Sequence, residues 1–154
     1  MLEPDFRDML SAFNGASVEY LVIGAFALAG HGIPRATGDL DFWIRISPDN
    51  ADRVARALAA FGAPPHLAAK EAFLKPDMIV QIGVEPVRVD ILTSISGVDF
   101  DDAYRARLTA DVDGMELPIL SLEHLIQNKR AAGRKQDLVD VEQLEALRIR
   151  KAER

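Results

Sequence analysis

Two aspartates separated by one residue begin an otherwise apolar run in the stretch GDLDFWI. Asp39 and Asp41 are followed by Phe42, Trp43 and Ile44. In a β-strand, residues two positions apart point to the same face, with Cα atoms roughly 6.5 Å apart. Two carboxylates that close repel each other and raise each other's pKa unless a cation lies between them. The pair therefore predicts a metal site, and the alternative is a polar loop that leads into a strand.

A third carboxylate, Asp90, lies inside the apolar stretch VRVDIL. Burying an aspartate among apolar residues costs free energy unless the carboxylate has a partner. If this stretch pairs beside DLDFWI, Asp90 completes a cluster of three carboxylates with Asp39 and Asp41. Such a cluster suits Mg²⁺ or Mn²⁺ and two-metal phosphoryl transfer. Taken alone, Asp90 could equally be a structural carboxylate.

The stretch VIGAFALAG predicts a strand, a glycine and then the start of a helix. A helix N-terminus offers free N–H groups and a positive dipole end, which suit a phosphate. Gly24 has no side chain to block the approach of such a group. The stretch is neither a P-loop nor a dinucleotide-binding fingerprint, because the lysine and the further glycines of those motifs are missing.

The apolar periodicity predicts an α/β (α+β) domain with a mixed β-sheet flanked by helices. We expect a single domain over residues 1–154, with a core over about 18–120 and a C-terminal helical part over 121–154. Asp113-Gly114 predicts a hairpin turn, and the two strands predicted on either side of Glu85-Pro86 indicate a second hairpin. Helices are predicted over Pro4–Phe13, Ala25–His31, Pro48–Phe61 and on either side of Gly133.

The 154 residues carry a net charge of −6 and include no cysteine. Disulfides and thiolate zinc sites are thereby excluded, and an acidic chain is not a general binder of phosphate backbones. No secretory signal or membrane-spanning stretch is visible, so we expect a cytoplasmic protein with no membrane partner. Basic residues gather locally in NKRAAGRKQ, where a negatively charged ligand could be bound.

These features together resemble the nucleotidyltransferase superfamily, which has a polymerase-β-like fold. The resemblance rests on the strand ending VIGA, the short helix, the D-x-D strand and the aspartate on a later strand. The stretches RATGDLDF and SLEHLIQNKRAAGRKQDLVDVEQL more specifically resemble small bacterial nucleotidyltransferase-like proteins related to AbiEii-type toxins. The resemblance extends from about Val18 to Leu144.

The resemblance implies a role for nine residues. It assigns the catalytic metal ions to Asp39, Asp41 and Asp90. It assigns the nucleotide to Gly24, Ala25, Arg35, Thr37, Lys129 and Asp137. Ala25 departs from the family pattern, which usually has glycine or serine at this position, so it keeps a backbone N–H but lacks a hydroxyl.

Simpler roles are open for several of these residues. Arg35 could neutralise the aspartate pair, Thr37 could hydrogen-bond within a loop, and Lys129 could be a solvated charge on a helix. Asp137 could complement the dipole at the start of the last helix.

The expected function is transfer of a nucleoside monophosphate from an NTP to a hydroxyl, with Mg²⁺ or Mn²⁺ as cofactor. The resemblance implies a tRNA end or a protein side chain as acceptor, and an antitoxin protein as partner. The alternative, favoured by Ala25 and the small size, is a module that binds a nucleotide or a partner protein without turnover.

Overall fold

A computed structural model describes residues 2–35 and 38–153. In this part of the chain a mixed sheet of six strands is flanked by helices, which confirms the predicted fold class. The strands are β1 (Tyr20–Ile23), β2 (Asp39–Ile44), β3 (Ile79–Val84), β4 (Val87–Leu92), β5 (Leu108–Val112) and β6 (Met115–Ile119).

The strands lie in the order β3-β4-β2-β1-β6-β5. Strand β2 is central and pairs in parallel with β4 and antiparallel with β1. The two outer hairpins, β3-β4 and β5-β6, are antiparallel. The predicted hairpins at Glu85-Pro86 and Asp113-Gly114 are confirmed, and the Glu85-Pro86 bond is cis.

Six α-helices cover the sheet in the described residues. They are α1 (Pro4–Gly15), α2 (Gly24–Gly30), α3 (Pro48–Phe61), α4 (Phe100–Arg105), α5 (Leu122–Ala132) and α6 (Lys135–Ala152). The stretch between α3 and β3 forms two short 3-10 turns, Pro65–Leu67 and Lys70–Phe73.

Local sequence explains where several helices begin and end. The Ser47 hydroxyl accepts a hydrogen bond from the Asn50 backbone N–H at the start of α3, and Ser121 does the same for His124 at the start of α5. Such caps satisfy backbone donors that have no partner inside the helix. Gly133 ends α5 in the left-handed conformation, so the chain turns into α6.

Alternation along β2 separates the core from the candidate site. Phe42 points to the face covered by α1, where its ring stacks on Phe13 with ring centroids 4.4 Å apart. Asp41 and Trp43 point to the opposite face, and Trp43 packs edge-on against Phe100 with ring centroids 5.0 Å apart. The aspartates therefore lie on a face that is apolar at one end of the strand and charged at the other.

Within the described residues, none of the helices has the length and apolar character needed to cross a lipid bilayer.

Candidate active site

The parallel pairing of β2 with β4 brings the predicted carboxylates onto neighbouring strands. Asp41 lies directly beside Asp90 in the register, and Asp39 lies beside Arg88. Side chains at paired positions of adjacent strands share a face, as do residues two positions apart on one strand. The four side chains therefore form two rows on the face opposite Phe42.

Gly24 lies against Asp41 at the start of α2. It has a φ of +69°, and a Cβ atom added there would lie 2.3 Å from Asp41 Oδ2. Both the left-handed backbone and the lack of space favour glycine at this position. The end of β1 and the start of α2 can approach the carboxylate only because this residue has no side chain.

A cleft of about 590 Å³ opens over this region. Gly24, Asp41 and Asp90 form its floor, and Lys129 from α5 and Asp137 from α6 contribute to its walls. A ligand in the cleft would contact the sheet and both C-terminal helices. The C-terminal helical part therefore contributes directly to the candidate site.

A buried ion network holds Lys129 at the cleft. Its Nζ atom lies 3.3 Å from Asp137 Oδ1 and 3.1 Å from Asp140 Oδ2. Both aspartates are 1% exposed. Arg134 donates to Asp137 at 2.7 Å, and Arg35 is ion-paired with Asp140.

This network favours negative ligands. Arg134 and then Lys129 hold the pKa of Asp137 below its usual range, so the carboxylate stays ionised. Three cationic side chains share two carboxylates, which leaves one positive charge in excess. Lys129 uses two donors for these ion pairs and has a third available for a ligand.

Asp41 experiences the opposite electrostatic environment. Burial, and then the nearby carboxylates of Asp90 and Asp39, raise its pKa from 3.8 to about 7. The charge of Arg88 lowers the pKa but does not offset these effects. At neutral pH the Asp41–Asp90 pair therefore carries an unfavourable negative charge that a bound cation would stabilise.

Arg88 lies among the other carboxylates. Its guanidinium donates to Asp39 Oδ2 at 2.7 Å and to Asp90 Oδ1 at 2.9 Å, and lies 3.2 Å from Glu85 Oε1. Asp39 Oδ1 is buried and has no hydrogen-bond partner. The side chain of Glu85 contacts Asp39, which raises the pKa of Glu85.

The carboxylate oxygens are ligands of the kind that a hard divalent cation prefers. The three aspartates are not, however, arranged to bind one ion together. In residues 2–35 and 38–153, no three His, Cys, Asp or Glu side chains are arranged to hold one metal ion. Arg88 already pairs with Asp39 and with both oxygens of Asp90. Asp41 and Asp90 remain beside each other at the cleft, with the carboxylate oxygens that Mg²⁺ prefers. The assignment of all three aspartates to metal stays a prediction.

Comparison with known proteins identifies the family of the chain. Residues 3–153 match a family described as nucleotidyl transferase of unknown function (DUF2204). The chain belongs to this family. Among curated proteins, no match to the chain is found.

A solved structure supports the fold of this nucleotidyl transferase family member. The chain is similar to a crystal structure of a Thermotoga maritima protein that is provisionally assigned as a nucleotidyltransferase. The TM-score is 0.57 and the identity 19%, over 100% of this chain and 97% of the other. At this identity the likeness shows the fold alone.

The six residues predicted to bind the nucleotide do not all lie at the cleft. Gly24, Lys129 and Asp137 line the cleft, whereas Arg35 and Ala25 are not among its lining residues. Arg35 instead pairs with Asp140 and thereby fixes the chain before β2 to α6. Thr37 lies outside the described residues.

Sequence reasoning missed Arg88, Glu85 and Asp140. Arg88 precedes Asp90 by two residues, so strand alternation could have placed it on the same face. Asp140 follows Asp137 by three residues on a predicted helix, which places the two on one side. Glu85 carried no comparable signal, because its position depends on the turn between β3 and β4.

Proposed function

We propose that this family member is a Mg²⁺-dependent nucleotidyltransferase that moves a nucleoside monophosphate from an NTP to a hydroxyl group. The observation that carries the proposal is the cleft itself. It combines the Asp41–Asp90 carboxylate pair, the glycine at the start of α2 and a lysine with excess positive charge around it. This combination suits a ligand that brings both a triphosphate and a divalent cation.

The proposed roles follow from the contacts of each residue. Gly24 and Ala25 present backbone N–H groups at the start of α2, close to Asp41, where the triphosphate would bind. Lys129 contributes its third donor and the charge of its network, and Asp137 holds it in place. Arg35 is oriented by Asp140 outside the lining of the cleft and adds positive charge to the network there, and the contact with the nucleotide that the sequence resemblance implies for Thr37 stays a prediction.

Asp39, Asp41 and Asp90 would hold the divalent ions. When bound, these ions neutralise the phosphate charge and stabilise the attacking and leaving oxygens. A carboxylate oxygen of Asp90 accepts the proton of the acceptor hydroxyl. The acceptor oxygen then forms a bond to the α-phosphorus, the bond from that phosphorus to the bridging oxygen breaks, and pyrophosphate leaves.

We propose a tRNA end or a protein side chain as acceptor, and an antitoxin protein as partner. This part rests on the sequence likeness to AbiEii-type toxins, which spans the D-x-D strand and the two C-terminal helices. Lys129 of α5 and Arg134, which directly precedes α6, line the cleft and would contact either acceptor.

The test is incubation of the full chain with labelled NTPs, Mg²⁺ and candidate acceptors. Wild type is compared with Asp41→Asn and Asp90→Asn. Asp8→Asn is the matched control, because Asp8 is exposed on α1, which packs on the other face of the sheet. We expect transfer with wild type and the control only. Equal transfer by all four proteins would overturn the assignment.

A second candidate is a nucleotide-binding or partner-binding module without turnover. The observation that favours it is the pairing of Arg88 with Asp39 and Asp90, which keeps these carboxylates in ion pairs. Thermal-shift titration tests the partner-binding form of this candidate, and the labelled-NTP assay tests the nucleotide-binding form, which binds NTP without transfer. Stabilisation by NTP only with Mg²⁺ supports a competent metal site, and no response to either favours partner binding.

A further inference from the structure

The candidate cleft has an apolar wall as well as charged ones. Ile79, Leu92 and Ile95 form this apolar wall. We propose that these three side chains are the surface on which the nucleobase of the NTP lies, and we call them the base platform. The inference rests on the proposed function, because it assigns a further part of the same substrate.

The register of the sheet places the base platform beside the carboxylates. Asp41 is the partner of Asp90 across β2 and β4. Two positions later on these strands, Trp43 is the partner of Leu92, and Leu92 is also the partner of Ile79 on β3. Residues two positions apart share a face and lie about 6.5–7 Å apart along the strand. An apolar row therefore follows the carboxylate row on the same face.

The open part of this row lies at the edge of the sheet. Trp43 is buried against Phe100, so the row is covered at that end. Ile79 is 59% exposed and Leu92 is half-buried, and both line the cleft. Ile95, in the segment after β4, is also half-buried and lines the cleft. A ligand in the cleft therefore reaches apolar side chains that are partly open to solvent.

The exposure of Ile79 departs from the ordinary pattern of an edge strand. The core-facing residues of β3 are Val80 and Ile82, which are 8% and 6% exposed. The opposite face of such a strand is usually polar where it meets water, as it is at the exposed Gln81. Ile79 instead presents a large apolar side chain to a concave surface. Apolar surface exposed in a cleft is typical of a ligand-binding site.

Helix α5 fixes the segment that carries Ile95. The Asn128 side chain donates a hydrogen bond to the Ser96 carbonyl oxygen at 3.0 Å. Gly97 has a φ of +72°, and a Cβ atom added there would lie 2.5 Å from the Cβ of Ala131 on α5. The segment after β4 is thus packed closely on α5, and this side of the base platform is formed before a ligand binds.

The cleft and an NTP divide charge in the same way. Lys129, Arg134 and the Asp41–Asp90 pair line the cleft, where they suit phosphates and a divalent ion. A nucleobase instead has flat faces that bind through stacking and burial of apolar surface. With the α-phosphate at the carboxylate row, a ribose spans about the distance to the next row. The base then lies on the base platform.

Gly24 lies on the other side of the carboxylates from the base platform. It follows Ile23, which is the partner of Asp41, and β1 runs antiparallel to β2. Gly24 is therefore displaced toward the Asp39 end of β2, whereas the base platform lies toward the Ile44 end. The phosphates and the base would extend in opposite directions from the carboxylates, as they do in an extended nucleotide.

The first experiment is calorimetric titration of the full chain in Mg²⁺ with the α,β-methylene analogue of each NTP, which cannot transfer its nucleotide. Inorganic tripolyphosphate is the probe that lacks a base and a ribose. We expect wild type to bind at least one analogue about tenfold more tightly than tripolyphosphate, because the base covers apolar surface. Equal affinity for tripolyphosphate and all four analogues would overturn the inference.

The second experiment repeats these titrations with Ile79→Ser. This substitution should weaken binding of the tightest analogue by about fivefold or more and change that of tripolyphosphate by less than about twofold. Val84→Ser is the matched control, because Val84 is 79% exposed on the same strand and does not line the cleft. It should leave both affinities unchanged. Retained tripolyphosphate binding also shows that Ile79→Ser is folded. Equal weakening of both ligands, or of neither, would contradict the inference.

The outcomes separate the base platform from the proposed function. Weaker analogue binding by Ile79→Ser, with no transfer by wild type, keeps the base platform and overturns the catalytic role. Transfer by wild type, with unchanged analogue binding by Ile79→Ser, keeps the function and removes the base platform. Slower transfer by that variant would then assign the apolar wall to the acceptor.

Discussion

Asp41 carries a charge that its surroundings disfavour, so replacing it should stabilise the metal-free protein. Its pKa in the folded protein is about 7, against 3.8 for an ordinary aspartate. Each pKa unit corresponds to about 1.36 kcal/mol, so ionised Asp41 costs the folded state up to about 4 kcal/mol. Asp41→Asn keeps the shape of the side chain and removes this cost.

The pH dependence has a definite sign. Between about pH 4 and pH 7, the folded state holds the Asp41 proton while the unfolded chain has released it. The folded state binds more protons, so the free energy of unfolding decreases as pH rises through this range. Above about pH 7 the full cost applies. At pH 5 the cost is about 2 kcal/mol, because pH 5 lies only a little above the pKa of aspartate in the unfolded chain and well below the pKa of Asp41 in the folded protein.

The assay is urea unfolding in EDTA at pH 5 and pH 8. We expect the free energy of unfolding of Asp41→Asn to exceed that of wild type by up to about 4 kcal/mol at pH 8, and by about half as much at pH 5. Asp8→Asn is the control, because Asp8 is exposed on α1. Its free energy of unfolding should equal that of wild type at both pH values. Saturating Mn²⁺ should stabilise wild type and not Asp41→Asn. A variant less stable than wild type at pH 8, or a difference that is equal at both pH values, would refute the reasoning.

Three further predictions concern residues around the cleft. Lys129→Met should lower the free energy of unfolding by about 1–3 kcal/mol in urea, because it removes the cation that joins two buried carboxylates, while Arg134 and Arg35 each keep one of them paired. Arg130→Met, an exposed neighbour on α5, should change the free energy of unfolding by less than about 1 kcal/mol. Asp137→Asn should reduce the loss of stability in acid. In wild type the depressed pKa of Asp137 contributes stability that is present above about pH 4 and disappears as pH falls through the lower, folded-state pKa, so unfolding measured between pH 5 and pH 2 should show a flatter slope in the variant. Gly24→Ala should cost about 1–3 kcal/mol and abolish Mg²⁺-dependent nucleotide binding in thermal-shift titration, since alanine is strained at a φ of +69° and its Cβ would collide with Asp41; Gly15→Ala, where a Cβ meets nothing within 4 Å, is the control and should keep that binding.

Much of the local structure could be predicted because its causes are local. Ser47 and Ser121 cap their helices through hydrogen bonds within four residues, and Asp113-Gly114 turns the chain through its own backbone preferences. The stretch between α3 and β3 could not be assigned in this way. It forms short 3-10 turns, which have weaker periodicity than helices or strands.

The candidate site was predictable only where one strand or one helix contains the partners. Asp39 and Asp41 are adjacent through alternation, and Lys129 and Asp137 lie on elements joined by a short turn. Arg35 was expected beside the nucleotide, yet it is ion-paired with Asp140, more than a hundred residues away in the chain. No local pattern contains such a pair, because the packing of α6 against the chain before β2 creates it.

The sequence by itself determined that Asp39 and Asp41 share a face and that Asp90 stands alone in an apolar strand. The period of two along a β-strand is a property of the backbone and needs no other element. Only the tertiary structure decided that Asp41 has Asp90 as its neighbour while Asp39 has Arg88. The register between β2 and β4 is set by the burial of Phe42 and Ile91 in a core built from distant parts of the chain, and a slip of one residue would turn the aspartates into that core.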